Sequence, residues 1–139
     1  MGLTLEFLND NHGVKATVSG ELTGEAFVEA VRQVNAFAVT TAPICYTFFD
    51  CNQLKAISVT TRDLAAAANC AIEASKLRDT ERVVAMFASD EYANHLALVY
   101  MLFIEQTGWE AWTFRDRSEA VAWLRSHVAM KHGIAVEAT

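Results

Sequence analysis

The sequence predicts one α/β domain: an N-terminal β-hairpin followed by βα units, building a mostly parallel five-stranded sheet and four helices. Three observations predict it. Apolar residues alternate with polar ones near the start, as half-buried strands do. Farther on, short apolar runs without alternation are separated by stretches with helical spacing, the pattern of a doubly covered parallel sheet and its crossover helices. The 139 residues are 53% apolar and 20% charged, with one proline and six glycines, which fits one well-filled domain rather than a disordered chain.

Leu3, Leu5 and Phe7 alternate with Thr4 and Glu6, and Val14, Ala16 and Val18 alternate with Lys15, Thr17 and Ser19. Between them Asn9-Asp10-Asn11-His12-Gly13 is a turn cluster, because Asn, Asp and Gly tolerate left-handed backbone. Gly20 ends the hairpin, and Thr23 is placed to cap a helix carrying Phe27, Val31, Val34 and Ala38. Pro43 opens a strand from Ile44 to Phe49, apolar on both faces. A connection from Asp50 to Val59 leads to Thr60 and Asp63, which form a capping-box variant before an alanine-rich helix. Arg82 introduces a second apolar strand, Val83 to Ala88. Ser89-Asp90-Glu91 then starts a helix that runs to about Thr107, with Gly108 beyond its end. Trp109 to Phe114 is the fifth strand. Asp116 and Glu119 open the last helix, near whose C-terminus His127 and Lys131 suit the negative end of the dipole. The domain is expected to span 1–131, and 132–139 a loose tail.

Composition narrows the function classes. Eleven basic and 17 acidic residues give a net charge of −6, which disfavours a nucleic-acid surface. The start, Met1 to Glu6, has neither the basic flank nor the apolar core of a signal peptide, and Glu6 stands where a myristoylation motif wants Ser or Thr. The longest apolar run, Leu96 to Ile104, falls well short of the ~20 residues of a membrane-spanning helix. Cys45, Cys51 and Cys70 are odd in number, lack Cys-x-x-Cys spacing and sit among apolar residues, so three buried reduced thiols in a cytoplasmic protein are expected.

No phosphate-binding glycine pattern, nucleophile elbow or metal-ligand spacing occurs. No catalytic, cofactor-binding or metal residues are therefore assigned, and the chain is expected not to be an enzyme. Asp50 closes one apolar strand and Ser89 and Asp90 the next, and in an open parallel sheet ligands bind at the carboxyl ends of strands, where Thr60 is expected to meet them. These four are the candidate polar edge site, set against ordinary cap and loop chemistry at the same positions. The helix over 91–106 is apolar nearly all round. Ala93, Leu96, Ala97, Tyr100, Met101 and Ile104 form one stripe, leaving Leu98, Val99, Leu102 and Phe103 off it. Those four imply a second covering element within the domain, a homodimer seam, or a pocket for an apolar ligand. Of the tryptophans, Trp123 falls on the apolar face with Ala120 and Val128; among Trp109, Trp112 and Trp123 at least one is expected at a groove or interface, where its N–H finds a partner.

The order of elements resembles the STAS domain, the fold of SpoIIAA-type anti-sigma-factor antagonists. The segment Thr113-Phe114-Arg115-Asp116-Arg117-Ser118-Glu119-Ala120-Val121-Ala122-Trp123-Leu124 is similar to the end of bacterial SpoIIAA-like proteins, with a Phe, an acidic turn, Glu-Ala and Trp-Leu. The resemblance implies a non-enzymatic, regulatory protein-interaction module, read here as a homodimer. The alternative is a small apolar-ligand or lipid-binding protein, an architecture similar to CRAL-TRIO domains. Phosphorylated antagonists carry Asp-Ser-Ser-Gly before their second long helix, the second serine taking the phosphate. Here the matching region is Ser58 to Leu64, without the glycine. Counted forward from Asp50 the acceptor position falls on Thr60, and counted back from Leu64 on Arg62. Thr60 is thus the candidate phosphoacceptor, and a helix cap explains the same residue.

Overall fold

The computed structural model describes residues 2–41, 43–78 and 81–137. Strands β1 (Gly2–Leu8) and β2 (Gly13–Thr23) form an antiparallel hairpin. Helix α1 (Gly24–Thr40), β3 (Tyr46–Ser58), α2 (Thr61–Leu77), β4 (Val83–Phe87), α3 (Glu91–Phe103), β5 (Glu110–Phe114) and α4 (Arg117–His132) follow. The five strands lie in sequence order in one sheet, and every pair after the hairpin is parallel. The expected fold class is the observed one.

The sheet separates two cores. On one side α1, α2 and α3 pack against Ala16, Val18, Phe49, Val84 and Met86. On the other, α4 sets Ala120, Leu124 and Val128 against Tyr46, Phe48, Val83, Ala85 and Phe87. Every residue of β4, and Tyr46 to Asp50 of β3, is buried, as unalternating apolar runs require. The helix starts are capped where the side chains allow. Thr23 accepts from Ala26 N–H at 3.2 Å, Asp90 from Ala93 N–H at 2.9 Å and Asp116 from Glu119 N–H at 3.1 Å.

Several expectations are corrected. Gly20 does not end β2. It takes φ 73° inside a strand that continues to Thr23, at a place where the register with β3 slips. The segment after Asp50 is not a loose connection either, since β3 runs on to Ser58 beside β2. Two bulges in β3, where Thr17 and Ser19 oppose Asp50 and Gln53 and where Gly20 and Glu21 oppose Leu54 and Ala56, bend this ribbon. They also break the period-two pattern, so Cys51, Leu54 and Ile57 turn inward at threefold spacing and do not read as a strand. The α3 helix stops at Phe103, and a separate 3₁₀ turn, Glu105–Thr107, leads to left-handed Gly108.

Residues Asn9, Asp10 and Asn11 are all left-handed, at φ 50°, 54° and 70°. Gly13 serves the hairpin differently: the Tyr46 ring occupies the space a Cβ there would need. Nor is the segment after α4 loose. Asn9 donates its backbone N–H to Glu137 Oε1 at 2.7 Å and its side-chain amide to Ala135 O at 2.9 Å. Its Oδ1 accepts from Glu137 N–H at 3.1 Å and from the Tyr46 hydroxyl. Ile134 and Val136 extend the α4-side core, giving the segment apolar burial as well as hydrogen bonds. Residues 138 and 139 lie outside the described residues.

Candidate functional site

The carboxyl ends of β3, β4 and β5 gather polar side chains. Asp50 ends the buried part of β3 and faces the α4 side, where Arg117 Nε approaches its carboxylate at 3.7 Å. Asp50 Oδ1 also accepts the Asn52 backbone N–H at 3.1 Å. Ser89, after β4, donates its hydroxyl to Asn52 Oδ1 at 2.6 Å. The Arg115 guanidinium donates to Ser89 O at 3.0 and 3.2 Å. Asn94 ties the first turn of α3 to Thr113 Oγ1 on β5 at 2.9 Å. Asp90 has its carboxylate engaged as the α3 cap.

Three of the four expected edge residues therefore share a neighbourhood: Asp50 and Ser89 are linked through Asn52, and Asp90 follows Ser89. Thr60 does not join them. The strand Cys51–Ser58 carries the chain away, on the order of 25 Å of contour before bending. Thr60 instead caps α2 at the far end of the ribbon. Its N–H and hydroxyl both donate to Asp63 Oδ2 at 2.9 Å, and its Oγ1 accepts from Asp63 N–H at 3.2 Å. These bonds hold the Asp63 carboxyl below the usual carboxylate range. Gly24, the first residue of α1, lies against the Asp63 carboxylate where a Cβ would collide, so two helix N-termini meet there.

The four residues assigned to an interface or pocket divide. Val99 and Phe103 are half-buried against the three-helix core. Leu102 is 62% exposed, and Leu98, one turn earlier, is half-buried outside that core. Beneath α3 lies an apolar cavity of about 50 Å³ bounded by Leu54, Ile57, Leu64, Ala93 and Leu96 among others. It is well below the ~150 Å³ that accommodates benzene in an apolar core.

Two features escaped sequence reading. Arg82 is 5% exposed, donates from Nη1 to Asn35 Oδ1 at 2.8 Å, and lies 4.0 Å above the centre of the Trp109 ring. Burial lowers its pKa to about 10. Its Nε and the Thr47 hydroxyl have no hydrogen-bond partner among the described residues. Position 82 flanks an apolar strand, but nothing local announces that its side chain turns inward to an asparagine on α1. The second is the Arg115–Ser89–Asn52 chain, whose members come from three separate segments.

Only Cys45 is fully buried; Cys51 and Cys70 are half-buried and free, and desolvation pushes the Cys51 thiol up to about 12. Trp112 is 51% exposed, while Trp123 is half-buried between Phe114 and His127. His127 Nδ1 meets Trp123 O at 2.9 Å, and Lys131 reaches Glu81 at 3.5 Å and Glu110 at 3.9 Å. Among the described residues no three His, Cys, Asp or Glu side chains gather as a metal site, and no helix is long and apolar enough to cross a membrane.

No family model and no curated protein matches the chain. Solved structures do. An uncharacterised protein with a SpoIIAA-like fold from Shewanella loihica is similar at a TM-score of 0.54 and 19% identity, over 88% of this chain and 92% of that one. The anti-sigma factor antagonist SpoIIAA in its unphosphorylated form is similar at 0.51 and 15%, over 87% and 94%. The Bacillus cell fate determinant SpoIIAA in its phosphorylated form is similar at 0.50 and 17%, over 89% and 100%. Element order, sheet topology and these likenesses agree: the chain has a SpoIIAA-like, STAS-type α/β fold.

Proposed function

We propose that this chain is a non-enzymatic, cytoplasmic regulatory module that acts by protein association and pairs with a second copy of itself through the outer face of α3. Leu102 carries the reading: a large aliphatic side chain 62% exposed, with Leu98 one turn before it. Two such residues on one helix face form the apolar centre that a self-complementary twofold interface requires. The similar SpoIIAA structures are of an anti-sigma factor antagonist and a cell fate determinant, regulatory proteins, which supports association over catalysis. A cysteine at Leu102 tests the seam. Mild oxidation of Leu102→Cys is expected to give a covalent dimer, and Leu77→Cys, on α2 and more exposed still, is not. Equal cross-linking of the two would refute the assignment.

Thr60 is the proposed phosphoacceptor within this reading. Its hydroxyl sits at the exposed N-cap of α2 and bonds Asp63. A phosphate there sets like charge against the Asp63 carboxylate and breaks the capping box, which loosens the start of α2. Phosphopeptide mapping of protein from its native cells tests this; an unmodified Thr60 peptide under conditions that phosphorylate other residues of the chain would refute it.

A further inference from the structure

We infer that the free edge of β3 over Cys51–Ser58 is a strand-addition site for a short extended peptide of a partner protein. The pairing of β4 with β3 ends at Phe87 opposite Asp50, while β2 accompanies β3 to Ser58. Beyond Asp50 the β4 side of β3 therefore faces no strand among the described residues and borders a groove. That groove has a volume of about 520 Å³ and lies between the strand and the start of α3. Ser89, Asp90 and Tyr92 form its far wall, and Tyr92 is 55% exposed. The natural complement of an unpaired row of N–H and C=O groups is another extended backbone.

The surroundings decide which backbone fits. The two bulges bend the edge, and Lys55 projects from its middle, exposed. Bulges and edge lysines disfavour the long, flat pairing by which copies of one chain stack edge to edge. A short strand confined to the groove needs only a few residues in register, so the bend and Lys55 limit its length without closing the edge to it. Side-chain choice has a physical basis as well. The polar groove and the apolar cavity beneath α3 share Cys51, Leu54, Ile57 and Ala93 as lining. At about 50 Å³ the cavity accepts one small apolar side chain of the peptide, while the main chain pairs in the polar groove. This surface is distinct from the Leu98 and Leu102 face and stands whether or not that face pairs.

A displayed library of random octapeptides panned on the intact chain supplies the probe. The best binder is synthesised twice, once unmodified and once with alternate backbone nitrogens methylated, in both phases of alternation. The unmodified peptide is expected to slow amide deuterium exchange within 51–58. At least one methylated form is expected to bind tenfold or more weakly, since methylation removes main-chain donors and keeps side chains. Ala93→Trp, which fills the shared wall, is expected to weaken binding at least tenfold; Leu54→Lys, on the strand side of the same wall, gives a second reading should the tryptophan variant fail to fold. The inference is overturned if both methylated forms bind as tightly as the parent, or if protection maps outside 51–58. It is equally overturned if panning yields no binder, or if protection of 51–58 rises with protein concentration in the absence of peptide.

Discussion

Asn35→Ala removes the side-chain oxygen that accepts from a buried guanidinium. Arg82 is 5% exposed and its Nη1 donates to Asn35 Oδ1 at 2.8 Å, while its Nε has no partner among the described residues. Taking away an acceptor from a buried charged donor costs about 3 kcal/mol. At ~2.1 cal/mol/K of unfolding entropy per residue, a chain of this length loses roughly 10 °C of melting temperature for that amount. Arg82→Met has the opposite expectation. A guanidinium whose pKa falls from 12.5 to about 10 is disfavoured in its charged form by ~3 kcal/mol. Methionine removes that penalty, retains volume and forfeits a contact with Trp109 worth ~1–2 kcal/mol, so the variant is expected to match or exceed the wild type. The pH dependence has a definite sign. Between pH 10 and 12 the unfolded chain holds the Arg82 proton and the folded chain releases it, so this group's contribution to stability rises with pH. The wild type should gain on Arg82→Met over that range. Thermal melts and urea unfolding at pH 7, 10 and 11 measure all three effects. Equal destabilisation by Asn35→Ala and Arg82→Met, or a gap that does not move above pH 10, would refute the reasoning.

Other perturbations have simpler readouts. Thr60→Ala deletes the α2 cap and is expected to lower the melting temperature by about 3 °C, from ~1 kcal/mol of lost capping, with exchange increased at the start of α2. Leu124→Ala leaves a hole in the α4-side core, where the leucine is fully buried, and should cost 3–5 kcal/mol, about 10–17 °C. Gly24→Ala drives a Cβ into the Asp63 carboxylate and should destabilise the chain, whereas Gly24→Ala with Asp63→Ala should recover part of the loss in a double-mutant melt. Cys51, its thiol raised to about 12 by desolvation, should alkylate with iodoacetamide at pH 8 more slowly than Cys70, which is equally half-buried, and should react readily in urea; labelling of Cys51 in the folded chain as fast as in urea would contradict that desolvation.

The legible parts of the fold are those where local and global preference coincide. The strands Val14–Val18 and Val83–Phe87 follow their hydrophobic patterns, and Thr23, Thr60, Asp90 and Asp116 cap helices because cap chemistry acts over three residues. The extension of β3 is illegible because two bulges replace alternation with threefold spacing, which no strand template matches. The docking of residues 134–137 depends on an asparagine more than a hundred positions away, and nothing near His132 encodes it. The edge site is half legible for the same reason. Asp50, Ser89 and Asp90 follow from their places at strand ends, whereas Asn52, Arg115 and Arg117 join them only through the tertiary arrangement. Thr60 falls away from that group because the strand after Asp50 is longer than the apolar run that announces it.

The mass of the wild-type chain in solution, measured by light scattering from 1 to 300 micromolar, tests the central proposal most directly. Association through Leu98 and Leu102 predicts a rise from the 15.3 kDa of one chain toward twice that value, abolished in Leu98→Glu/Leu102→Glu with the melting temperature kept within a few degrees. A mass of one chain across the whole range would contradict it.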